Sequence, residues 1–262
     1  MGTPASPITL NVEPCYAAGH LFSWALDPAF ALPAAHSFRI ERAETEAGLW
    51  SPVSPEMTGV YAWRSGRLLG PKDPALFFRV RMTAGGKQYY SPVRAPYGDL
   101  TRREFLIVAE LMRKELLSMR QMSGVPALIW IKAAFGPACT ACRDPVTGDV
   151  LKQNCKACYG TGRVPAYHGP YETWMVISQT QSKKGMENDQ TSTRDPHAHT
   201  VRLLGVPRVK KEDILVDVRS DKRYYVDVVE NVGEIRRVPA VQQVTANELA
   251  SSSPVYRLGT QV

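Results

Sequence analysis

Four of the chain's five cysteines stand within one short stretch, as Cys139, Cys142, Cys155 and Cys158. Their spacing is C-x2-C-x12-C-x2-C. Thiolate is the soft ligand that zinc prefers, and a structural zinc takes four ligands in a tetrahedron. One C-x2-C turn aims two sulfurs at a point, and a second turn closes the site. The intervening RDPVTGDVLKQN carries turn signals at Asp144-Pro145 and Thr147-Gly148. Gly160 and Gly162 follow the second pair, where positive φ lets backbone N–H groups approach the sulfurs. The expected cofactor is one Zn2+ held by these four cysteines. Since cysteine fills every position, no site is left for a catalytic water, and the metal folds the segment rather than doing chemistry. Two disulfides would need an oxidising compartment, and a redox C-x2-C usually stands singly in a βαβ unit. Cys15 stands alone and reads as a small buried hydrophobe.

The elements that must position this stretch come in a legible order. In residues 1–98, ITLNV, HLFSWAL, SFRIERA, GVYAW, LFFRVRMTA and KQYYSPV are short runs rich in aromatic and β-branched residues. Turn residues separate them, which predicts a β-sandwich. The run FFRVRMTAGGKQYYSPV reads as a hairpin turning at Gly85-Gly86. Residues 99–124 predict one long helix, with Thr101 and Glu104 as a capping box and Leu100 and Phe105 as a staple. Gly124 reads as its terminator. Phe105, Val108, Ala109, Met112, Leu116 and Met119 recur at helical spacing. Leu106, Ile107, Leu111 and Leu117 widen the apolar surface beyond one stripe, so they are the expected oligomer interface.

Residues 125–165 hold the ribbon, and residues 166–262 read as a small antiparallel β-barrel. YETWMVISQTQ and HTVRLLGV predict strands, with an exposed polar loop at 181–197 between them. His197 and His199 are expected to be solvated there rather than metal-bound. A meander follows, turning at Ser220-Asp221 and again at Gly233. The fold class expected is mainly β and multidomain: sandwich, helix, zinc ribbon and barrel.

The chain has 262 residues and a formal charge of +7, and 44% of it is hydrophobic, an ordinary globular composition. The charge excess is central, with six Lys/Arg against three Asp/Glu in 100–135 and four against two in 136–165. A basic middle can face phosphate, so contact with DNA is an expectation. No apolar run approaches the length of a membrane span. The start, MGTPASPITLNV, lacks the charged and apolar regions of a signal peptide. There is no Gly-rich phosphate loop, no G-x-S-x-G and no carboxylate pair in an apolar setting, so no enzyme is expected.

Three resemblances bear on function. Trp24, FRIERA followed by Trp50, and FFRVRMTAGGKQYYSP resemble a fibronectin type III domain over about residues 7–96. CKACYGTG resembles the C-x2-C-x-G-x-G repeat of DnaJ-type chaperones, with one full repeat and no H-P-D tripeptide. This likeness extends to ligand geometry alone. From about residue 125 to 260, the order of an ALIWIKAAFG run, the ribbon and the meander closing on VPAVQQVTANEL and YRL resembles neck and head-to-tail proteins of tailed bacteriophages. That resemblance implies a virion structural protein of the phage neck, made in the host cytoplasm. It would form a ring of identical copies around the DNA channel, against portal, connector or tail proteins, with no membrane partner. The alternatives are a nucleic-acid-binding zinc ribbon using Lys152, Lys156, Tyr159 and Arg163, or a chaperone or adaptor.

Overall fold

The computed structural model describes residues 6–15, 19–65, 76–95, 100–144, 147–152, 154–179, 198–236 and 238–259. The loop 181–197, His197 and the side chain of Cys15 lie outside the described residues. The chain divides into two compact units, Met1–Glu110 with Ala133–His168, and Leu111–Lys132 with Gly169–Val262.

In the first unit the strands are β1 (Ile8–Cys15), β2 (Gly19–Leu26), β3 (His36–Ala43), β4 (Ser51–Pro52), β5 (Ala62–Arg64), β6 (Phe77–Ala84) and β7 (Lys87–Tyr90). They form two antiparallel sheets, β1-β2-β5 and β4-β3-β6-β7. The sheets bury one common core. Ile8, Leu10, Phe22 and Trp24 come from one sheet, and Phe38, Ile40, Val80 and Met82 from the other. Period-two alternation explains the choice of face: along β6, Phe78, Val80, Met82 and Ala84 point in, while Arg79 and Arg81 do not. Burying each large side chain contributes about 2 kcal/mol. Ala84 pairs with Lys87, so Gly85 and Gly86 make a two-residue turn at φ 56° and 75°. Both central residues of such a turn need positive φ, which is why the pair is glycine.

The helix α1 (Arg102–Gln121) begins as its capping box predicts. The Thr101 N–H donates to Glu104 Oε2 at 2.8 Å, and the Glu104 N–H donates to Thr101 Oγ1 at 3.3 Å. Leu100 and Phe105 are both buried. At the other end the Gly124 N–H donates to the Met119 carbonyl at 2.8 Å. A Cβ at residue 124 would lie 2.4 Å from that oxygen, so only glycine fits.

The second unit holds β8 (Val125–Lys132), most of β9 (Tyr167–Gln179), β10 (Ala198–Leu204), β11 (Ile214–Asp217), β12 (Arg223–Ile235) and β13 (Val238–Glu248). They close a six-stranded barrel in the order β10-β13-β12-β11-β8-β9, with β9 returning to β10. Ile129, Met175, Val201, Leu203, Val226 and Val244 are buried. The stretch 125–132, expected with the ribbon, is therefore a barrel stave. Its hydrogen bonding to β11 pairs Ile129 with Leu215 and Leu128 with Val216. The meander also reverses later than Gly233. The strand β12 runs on to Ile235, which pairs with Val238, and Arg236 takes φ 44° in the turn. Two buried polar side chains tie the loops to the staves. Asp213 accepts the N–H groups of Lys132 and Lys210, each at 2.7 Å. Gln242 accepts the Val209 N–H at 2.9 Å and donates to the Leu204 and Pro207 carbonyls at 2.8 and 3.0 Å.

Candidate metal centre

The connection between β8 and β9 carries the cysteines. Phe135 packs edge-on against Tyr61 of the sandwich, with ring centroids 4.9 Å apart. Bridges between Ala138 and Arg163, and between Arg143 and Val150, then draw the segment into a ribbon. Each C-x2-C forms its own turn: the Arg143 N–H donates to the Cys139 carbonyl at 3.0 Å, and the Tyr159 N–H to the Cys155 carbonyl at 2.8 Å. The first turn is tied to the segment after the second, where the Cys139 N–H donates to the Gly162 carbonyl at 2.9 Å, and to the segment between the turns, where the Leu151 N–H donates to the Cys142 carbonyl at 2.8 Å.

These turns bring Cys139, Cys142, Cys155 and Cys158 together, with all four buried and their sulfurs within 4.8 Å of one another. Among the described residues this is the one group of His, Cys, Asp or Glu side chains able to hold a metal ion. The sulfurs of Cys139 and Cys155 are 3.9 Å apart, and those of Cys142 and Cys158 3.1 Å. Metal–sulfur bonds of about 2.3 Å give tetrahedral edges of about 3.8 Å, whereas a disulfide needs about 2.05 Å. The four are free thiols with the spacing of a ligand set.

The electrostatics of the sulfurs are uneven. The Cys158 sulfur beside it, then burial, push the Cys142 thiol well above its ordinary range. Burial also raises Cys158. Cys155 is lowered to about 6 by the backbone N–H groups of Cys158 and Ala157, which favour its thiolate. Four thiolates in one buried site repel each other, and a divalent cation is the charge that lets them ionise together.

The surrounding shell holds the sulfurs in place. The Gly162 N–H donates to Cys158 Sγ at 3.3 Å, and Gly162 has φ 71°. A Cβ there would meet Val150 Cγ2 at 2.6 Å. Arg143 donates from Nε to the Gly148 carbonyl at 2.6 Å, and Arg163 from Nη1 to the Gly136 carbonyl at 3.1 Å. Neither bracing role is evident from the spacing. The available signal is an arginine directly after the first cysteine pair and another directly after the Gly-Thr-Gly. Of the residues considered for nucleic acid, Lys152 and Lys156 are exposed, while Tyr159 lies half-buried with its ring centroid 6.3 Å from that of Tyr167.

The remaining candidates fall elsewhere. On α1, Ile107, Leu111 and Leu117 are 46%, 42% and 39% exposed, and Leu106 is half-buried. His199 is not in a polar loop: it sits in β10, half-buried, 3.6 Å from Glu248, with its ring edge-on to Tyr224. The strand β9 runs to Gln179, so its pairing with β10 brings His199 opposite that residue. No helix among the described residues is long and apolar enough to cross a membrane. Comparison with protein-family models and with curated proteins returns no match.

Proposed function

We propose that the chain is a non-enzymatic structural protein of the tailed-phage neck. In this reading it joins head to tail as a ring of identical copies around the DNA channel, and each copy holds one zinc. The observation that carries the reading is the setting of the cysteines: a four-thiol ribbon connects two neighbouring staves of a closed six-stranded barrel. Zinc is the ion that an all-thiolate, closed tetrahedral set favours, and such a set leaves no coordination position for substrate. The exposed Ile107, Leu111 and Leu117 supply apolar surface for a second copy. The split of seven strands into sheets of three and four around one core supports a fibronectin type III-like module at the N-terminal end. Portal, connector or tail proteins are its partners, and the channel DNA is a non-specific one.

The deciding experiment is a reconstruction of purified particles combined with mass spectrometry of their proteins. The reading expects the chain as a closed ring at the head–tail vertex. Absence from the particle, or scattering over the capsid, would overturn it.

A further inference from the structure

The outer face of the β4-β3-β6-β7 sheet carries more positive charge than it can pair. On this face Glu41 and Arg39 of β3 stand opposite Arg79 and Arg81 of β6. Glu41 is only 4% exposed. Its Oε2 accepts Arg79 Nε and Nη2 at 2.9 and 2.8 Å, and its Oε1 accepts Arg81 Nη1 at 3.0 Å. One carboxylate thus serves two guanidinium groups, and both of its oxygens are engaged. Arg39 has no acidic partner among the described residues and faces Arg81, a like-charged pair directly across the strands. Such pairs are destabilising unless something compensates them. The Nε donors of Arg39 and Arg81 are both buried without an acceptor. Beside them Arg79 is clamped between Trp50 and Tyr90, each ring centroid 4.2 Å from its guanidinium carbon. Leu49, next to Trp50, is 97% exposed.

We propose that this face binds an acidic segment of a partner protein, with one carboxylate seated on the Arg39–Arg81 pair. The face already displays the mode of recognition: the planar guanidinium groups of Arg79 and Arg81 converge on a carboxylate, and the third arginine lacks its counterpart. A protein segment fits better than nucleic acid because the unpaired charge is a single arginine, Arg39, rather than the row of cations that tracks a phosphate backbone. The exposed Leu49 adds an apolar contact that suits a side chain beside the acid. The inference concerns the sandwich alone and holds or fails independently of the neck assignment.

The test titrates the full-length protein with a labelled peptide alternating leucine and glutamate, the same peptide with glutamine, and a DNA duplex. The glutamate peptide binds, and the glutamine peptide is weaker by about tenfold, the effect of one charge-assisted pair. Arg39→Gln weakens the glutamate peptide by a similar factor. Arg39→Met weakens the glutamate peptide by about tenfold as well, while leaving the melting temperature of the free protein unchanged or higher, because the like-charged pair is relieved. A merely structural arginine would lower it. Equal binding of the two peptides, no effect of the Arg39 substitutions, or tighter binding of the duplex with the same dependence on Arg39 would each overturn the proposal.

Discussion

The guanidinium carbon of Arg223 lies 5.0 Å from the ring centroid of Tyr256, and this pair fastens the short helical turn Pro254–Arg257 to the barrel. Arg223 is buried, and its Nη1 donates to the Val255 carbonyl. The Tyr256 hydroxyl accepts the Arg223 N–H at 3.4 Å and donates to the Leu249 carbonyl at 3.2 Å. One tyrosine thus combines a cation–π contact with two hydrogen bonds.

Tyr256→Phe keeps the ring and loses the hydroxyl, so it should destabilise by about 1 kcal/mol. Tyr256→Ala loses both and should cost about 3 kcal/mol. Urea unfolding followed by tryptophan fluorescence checks the order. Equal effects would mean that the ring contributes nothing.

Purified protein should carry about one zinc per chain by elemental analysis. Cys155→Ser removes a ligand and should abolish stoichiometric metal. Gly162→Ala keeps all four ligands but forces a Cβ toward Val150 and strains φ 71°. It should lower metal affinity by about tenfold or more, as loss of a supporting contact does. Competition with a chromophoric chelator measures it.

Alkaline stability follows from two tyrosines of β12. Burial first, then the carboxylates of Glu248 and Asp217, raise Tyr224 to about 12. Burial and Glu212 raise Tyr225 to about 12. Both folded values lie above the unfolded value of 10.0, so folding favours the protonated form. The stabilisation is complete below about pH 10 and disappears as pH rises toward about 12. Absorbance titration of phenolate should show these groups ionising late in the folded protein, and near pH 10 in urea. Ordinary titration in the folded state would refute the assignment.

Changing Ile107, Leu111 and Leu117 together to lysine tests the oligomer surface. All three are exposed, so the melting temperature should stay within about 2–4 °C. Assembly into particles should fail. Particles that incorporate the triple variant normally would remove the helix from the interface.

Local chemistry was legible in the sequence where it was self-contained. The four cysteines, the Thr101–Glu104 box and the Gly85-Gly86 turn each specify a short-range geometry, and each forms as expected. The barrel stave at 125–132 was not legible as one. VPALIWIK reads as an apolar run leading into the ribbon, and its pairing with β11 lies far along the chain. The sharing of Glu41 by Arg79 and Arg81 was equally hidden. It depends on a register between strands far apart in sequence, which alternation within SFRIERA cannot supply. HTVRLLGV reads as a strand that begins at His199, but the half-burial of this histidine comes from Glu248 and Tyr224 on other strands, which the polar residues around His197 do not show.

The ribbon's place between two adjacent staves bears on how the barrel comes to be closed. The strands β8 and β9 are joined by residues 133–166, a long stretch whose ends must meet before the seam can zip. Loop closure costs about 0.6 kcal/mol more for each doubling of loop length. A metal that ties Cys139 to Cys158 removes most of the slack from that stretch. Metal capture before strand pairing would therefore shorten the search for the seam, and a chain starved of metal would reach the closed barrel more slowly.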